Sequence, residues 1–233
     1  MTQTTATPAT QPQSRTDQHC NPADRVTKSL LGYGVIAGPA YVTVAVAQAL
    51  TRDGFDLTRH PWSMLSNGDH GWIQIVNFLL TGLMVIAFAV GLRRALDGGV
   101  GARWAPRLVA AYGLSLIAAG AFRADPGLGF PIGTPAGPGP ISWHGTLHFA
   151  AGGIGFSCLA AACFVLARRF AAEGRLRWAR FSRVSAGAFL AGFAMVASGS
   201  GVPGAVVAFT AAIILIWGWM SVVAVDRYRI VAR

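Results

Sequence analysis

Six long apolar stretches, separated by gaps that alternate between Arg-rich and Arg-poor, constrain this chain more than any other feature. The stretches run over residues 29–50, 72–93, 105–123, 143–168, 182–200 and 203–225. Each approaches the ~20 residues with which an α-helix crosses a ~30 Å hydrocarbon core. Arg15, Arg25 and Lys28 precede the first stretch, and Arg93, Arg94, Arg103 and Arg107 flank the second gap. Arg168, Arg169, Arg175, Arg177, Arg180 and Arg183 crowd the fourth, and Arg227, Arg229 and Arg233 close the chain. Only Arg52, Arg59 and Arg123 of the 19 Lys and Arg lie in the other gaps. Basic residues mark the cytoplasmic side of a membrane protein. The pattern therefore predicts an all-α integral membrane six-helix bundle with N and C termini cytoplasmic.

Composition agrees. Of 233 residues, 53% are hydrophobic and only 12% charged, against about 25% charged in soluble domains. The net charge of +10 would suggest nucleic acid in a soluble protein. Here the basic residues flank apolar segments, where they hold orientation and meet anionic headgroups. The expected partner is the lipid bilayer and not nucleic acid.

Residues 1–28 are rich in Thr, Gln, Pro and Ser and are expected to form a disordered cytoplasmic tail. A six-span domain over 29–226 follows, then a short basic tail over 227–233. Pro39 falls inside the first span and should kink it. Gly34 with Gly38, and Ala188 with Gly192, form small-xxx-small steps suited to close helix packing in lipid. Cys158 and Cys163, five residues apart on one helix, face different ways and should stay unbridged.

The polar residues collect in the two long Arg-poor gaps. The first, 51–71, holds Asp53, Asp56, Arg59, His60, Asp69 and His70, but also Phe55, Leu57, Trp62, Met64 and Leu65. A solvated loop has no use for those apolar side chains. The segment should fold back over the outer mouth of the bundle, with a short helix across Trp62 to Leu65, and Trp62 and Trp72 suit the interfacial belt. The second gap, 124–143, is dominated by Gly and Pro and should be irregular. Arg123 and Asp125 border it on one side, Ser142 and His144 on the other. His144 and His148 lie at i and i+4 and share a helix face. An ionisable group within a span is costly and marks a functional candidate.

Three segments carry a resemblance: SMLSNGDHGWIQIVNFLLTG over 63–82, AFRADP at the end of the third stretch, and GTLHFAA opening the fourth. Together they make the chain similar to the bacterial multi-span membrane-protein family catalogued as domain of unknown function 998, over roughly residues 30–225. The resemblance implies the same multi-span fold in a bacterial cytoplasmic (inner) membrane. It also implies that Asp125 and His148 stand at characteristic positions. It carries no assigned biochemistry.

These residues point to a polar His/Asp/Arg pocket at the outer face, and three roles stay open for it. Asp125, Arg123, His144 and His148 could form a hydrogen-bonded clasp that pins loops to helix ends. They could form a metal-dependent hydrolase acting on a lipid amide or ester. There His148 is ligand or base, Asp125 orients it or shares a divalent metal, and His60, Asp69 or His70 complete the shell. Or they could bind or transport a lipid or small solute, with Arg123, His144, His60, Asp69 and His70 lining the site. A haem reading is disfavoured, because no other span offers a facing His.

Overall fold

A computed structural model describes residues 21–199, 202 and 204–231. Most of the expected N-terminal tail, with Arg15 and Cys20, lies outside the described residues, as do Gly201 and Pro203 of the last turn and Arg233. The described chain forms six α-helices and one short 3-10 helix, with no strand among the described residues.

Helix α1 spans Pro22–Thr51, earlier than the expected start at 29. The cause is local. Asn21 caps the helix by accepting from the Ala23 N–H at 3.1 Å, and Pro22 occupies the first turn, where its missing N–H is harmless. The 3-10 helix covers Trp62–Ser66, within the loop where a short helix was expected. Then come α2 (Gly71–Ala95), α3 (Trp104–Ala121), α4 (Trp143–Ala172), α5 (Leu176–Ala197) and α6 (Ala205–Val231). Each helix packs on the next, and α6 packs back on α1, so the six close into a ring. Four of them, α1, α2, α4 and α6, are long and apolar enough to cross a membrane.

Small residues set the closest approaches. A Cβ on Gly82 of α2 would sit 2.8 Å from the Gly113 carbonyl of α3, and one on Gly113 would sit 2.8 Å from that of Gly82. These two backbones touch directly. The predicted small steps also make contacts: a Cβ on Gly38 would lie 3.1 Å from Trp217 Cβ, and one on Gly192 would lie 3.1 Å from Phe209 Cα. Pro39 removes one N–H from α1, which frees the Val35 carbonyl. Ser221 of α6 donates its hydroxyl to that carbonyl at 3.2 Å. Cys158 and Cys163 are both free thiols.

The basic residues do more than flank helices. At the end shared by the α2–α3 and α4–α5 connections, Arg175 pairs through both terminal nitrogens with Asp226, at 3.0 and 2.5 Å. Arg227, only 3% exposed, pairs with Asp226 at 2.8 Å and Glu173 at 3.4 Å. Arg169 binds Glu173 at 2.8 Å and the Gly98 carbonyl at 2.8 Å. Arg94 joins α2 to α1 through Thr27 Oγ1 at 2.9 Å and the Ala23 carbonyl at 3.1 Å. Asp226 raises the Arg175 pKa mainly through its hydrogen bonds, against burial that lowers it. Burial pushes the Glu173 carboxyl up, but the Arg227 charge and hydrogen bonds from Arg227 and Arg169 outweigh it, so the net shift is downward.

A depressed carboxylate contributes stability above its unfolded pKa and loses it as pH falls through the folded value. Thermal unfolding of the full chain in nanodiscs should therefore be flat near neutrality and weaken below the usual carboxylate range. Glu173→Gln should start lower at neutral pH and show a shallower acid loss. An unchanged acid profile in the variant would contradict this role.

Candidate functional site

The histidine of the first gap and the gap itself are tied down first. His60 is buried. Its Nδ1 accepts from the Asp56 N–H at 2.8 Å, so its Nε2 carries the proton and donates to the Leu128 carbonyl at 3.0 Å. One imidazole thus joins the two long connections. Arg52 donates to the Leu65 and Asn67 carbonyls, both at 2.5 Å, and lies over the Phe130 ring at 4.9 Å. Burial lowers the Arg52 pKa, and the Asp69 charge opposes that. Asp69 and His70 are themselves exposed. Trp62 was expected in an interfacial belt, but it is 2% exposed and packs 6.1 Å from Tyr41. The short 3-10 helix turns it into the ring, whereas Trp72 stays on the surface.

Asp125 and His148 join α3 to α4 by two separate sets of bonds. The Asp125 carboxylate accepts from the Ser142 N–H at 2.8 Å and the Ser142 hydroxyl at 2.5 Å. Ser142 is the N-cap of α4, and its Oγ accepts from the Gly145 N–H at 3.0 Å. Gly145 is required here, since a Cβ would collide with the Asp125 carboxylate. With the start of α4 fixed, His148 falls beside the end of α3. Its Nδ1 lies 3.0 Å from the Ala119 carbonyl and 2.7 Å from that of Phe122. Helix α3 ends at Ala121, so these are terminal carbonyls that lack a full set of helical partners.

The four-residue clasp expected from the sequence is not assembled as one set. Asp125 binds Ser142, and His148 binds backbone. His144 stacks on Trp143 with ring centres 3.7 Å apart, and its Nδ1 is buried without a partner. Arg123 is exposed. Among the described residues, no group of three or more His, Cys, Asp or Glu is placed to hold a metal ion. His60 has both nitrogens engaged, by Asp56 of the first gap and Leu128 of the α3–α4 connection.

What the ring encloses is an aromatic cavity of about 140 Å³. All six helices and the 3-10 helix line it. Tyr41 stacks on Trp217 at 5.2 Å, and Tyr112 approaches the same indole at 5.8 Å. Phe156 meets Phe189 at 4.9 Å and Phe193 at 5.0 Å. Phe78 and His148, 6.1 Å apart, close the α2 and α4 sides. Of the residues expected in a polar pocket, His148 alone lines this cavity, whose walls are mostly aromatic rings. Phe149 lines the cavity and is also 53% exposed.

Most of this lining was not singled out from the sequence. Phe209, Ile213 and Trp217 recur every fourth residue, as do Phe189 and Phe193, so an inward stripe was visible. Periodicity shows that a face is buried. It does not show whether the buried rings meet or leave a void.

Residues 35–226 match the model of the family described as "Protein of unknown function (DUF998)", and the chain belongs to that family. No curated protein and no solved structure matches the chain.

The Asp125–Ser142 junction predicts coupled losses. Ser142→Ala should cost about 0.5–2 kcal/mol as a lost N-cap, and Asp125→Ala about 1–3 kcal/mol as lost hydrogen bonds to a half-buried partner. The double variant should lose less than the sum when unfolding is followed in detergent. Strict additivity would show that the two act independently.

Proposed function

We propose that this chain is a six-span protein of a bacterial cytoplasmic membrane that binds a small lipid-soluble molecule inside its helix ring. The cavity is the observation that carries the reading. An aromatic chamber of about 140 Å³ is close to the ~150 Å³ apolar cavity known to hold benzene. Ligand sites are concave and mostly apolar, with few polar groups that fix orientation. His148 is such a group. An apolar ligand would leave the bilayer past Phe149, which both lines the cavity and is exposed.

Six spans are favoured although only four helices satisfy length and apolarity by themselves. Helix α3 packs between α2 and α4, and α5 between α4 and α6. Two helices held between spans in a closed ring share their depth. Their outer faces are apolar, with Leu114 on α3 and Val184 on α5 exposed. Arg177, Arg180 and Arg183 lie near the start of α5, where long basic side chains reach the headgroups. The Arg-rich end then faces the cytoplasm, with both termini on that side.

Topology is tested by single cysteines in a cysteine-free background. A cysteine at Pro135 should react with a membrane-impermeant maleimide in intact cells, and one at Gly98 only after lysis. The reverse pattern would overturn the orientation.

Binding is tested with Gly152→Leu. Gly152 lines the cavity, and a Cβ there meets only Phe156, at 3.8 Å. The longer side chain should fill the chamber without disturbing the helix. Purified wild type should bind fluorobenzene in nanodiscs, and Gly152→Leu should lose at least tenfold in affinity. Equal binding by both would remove the cavity as the site.

A further inference from the structure

We infer that the cavity selects hydrogen-bond donors, so that its ligand is a lipid-soluble alcohol or phenol held through its hydroxyl by His148 Nε2. The inference rests on the binding reading above and names the class of ligand.

The imidazole carries the argument. His148 Nδ1 faces two acceptors, the carbonyls of Ala119 and Phe122, at 3.0 and 2.7 Å. A carbonyl has no proton to give, so Nδ1 must hold one and donate it. In the neutral ring this fixes the tautomer and leaves a lone pair on Nε2. The charged form is disfavoured by the surroundings. The nearest acidic side chain across the junction, Asp125, has both oxygens engaged by Ser142, and no ion pair to His148 is formed among the described residues. An unpaired charge against aromatic rings is expensive.

Nε2 has no hydrogen-bond partner among the described residues, and His148 lines the cavity. The side chain therefore presents an acceptor to a chamber walled by rings such as Phe78, Phe156 and Trp217. A ketone, ether or quinone could accept from the unpartnered Trp62 Nε1–H, which lines the same cavity, but would leave the Nε2 lone pair without a donor. A hydroxyl would donate to it and pair both groups. Discrimination of this kind is steep in apolar sites, because the rejected ligand leaves a buried polar atom without a partner. The chamber holds about one ring, and a longer tail would extend past Phe149 into lipid.

The test uses three probes of nearly equal size on the full-length protein in nanodiscs: 4-fluorophenol, 4-fluoroanisole and fluorobenzene, followed by 19F NMR. The affinities are corrected for each probe's partitioning into empty nanodiscs. The expected result is that 4-fluorophenol binds at least tenfold more tightly than 4-fluoroanisole. His148→Phe should abolish that ratio. Because His148 also covers the end of α3, the variant can fail to fold, and a second measurement on wild type stands without it. In protein labelled with 15N histidine, the unprotonated Nε2 signal should move on adding 4-fluorophenol and stay put with fluorobenzene. Equal affinities for all three probes would overturn the donor selectivity and leave the apolar binding reading standing. Tighter binding of 4-fluoroanisole would also overturn it. Failure of every probe to bind would remove the binding reading itself.

Discussion

The demand that every buried carbonyl find a donor organises this molecule. Inside an apolar ring, water does not supply that donor, and each break in a helix exposes carbonyls. The chain answers with side chains from neighbouring elements. Ser221 covers the Val35 carbonyl freed by Pro39. His148 covers the end of α3, and Arg52 covers the end of the 3-10 helix segment. His60 takes the Leu128 carbonyl, and on the exposed surface Arg169 and Arg94 likewise take those of Gly98 and Ala23. Each of these bonds crosses between elements far apart in sequence. Satisfying the backbone and joining the ring are therefore one process.

This requirement explains why several polar residues that look suited to chemistry are occupied. Burying a polar group without a partner costs more than a hydrogen bond returns. His60 is a candidate ligand by type, yet both nitrogens hold backbone groups. Asp125 is a candidate base by type, yet it accepts two bonds from one serine. His148 differs in one respect. It spends one nitrogen on structure and keeps the other, and it lies on the cavity wall. A single residue thus belongs both to the α3–α4 junction and to the chamber wall.

The helices were legible because apolar length and basic flanks act over many residues and average out local exceptions. The short helix at Trp62 was legible because apolar residues in a polar loop must be covered. The Asp125 and His148 positions were legible as ionisable groups beside a span. Their partners were not, because those partners are backbone carbonyls and a capping serine, and every residue carries a carbonyl. The ion-pair network of Glu173, Arg175, Asp226 and Arg227 was hidden for a related reason. Basic residues that set orientation and basic residues that pair across helix ends read alike until α4, α5 and α6 are placed side by side.

The cavity poses the sharper physical question, since close packing would be the more stable choice. At ~24 cal/mol per Å³, a cavity of about 140 Å³ costs about 3 kcal/mol relative to a filled interior. Two glycines on neighbouring turns of α4 show that the opening is not forced. At Gly155 the space is already taken, since a Cβ would collide with Ser115 Oγ and come within 2.5 Å of Ser115 Cβ. At Gly152 it is not, and a Cβ would meet only Phe156, at 3.8 Å. The first glycine serves packing between α3 and α4. The second leaves room beside His148 that a larger residue could have filled, in a chain with ample Leu, Phe and Ile on nearby faces. A void that one substitution could reduce, placed against a histidine nitrogen with no protein partner, supports a chamber kept open for a ligand over a flaw in the packing.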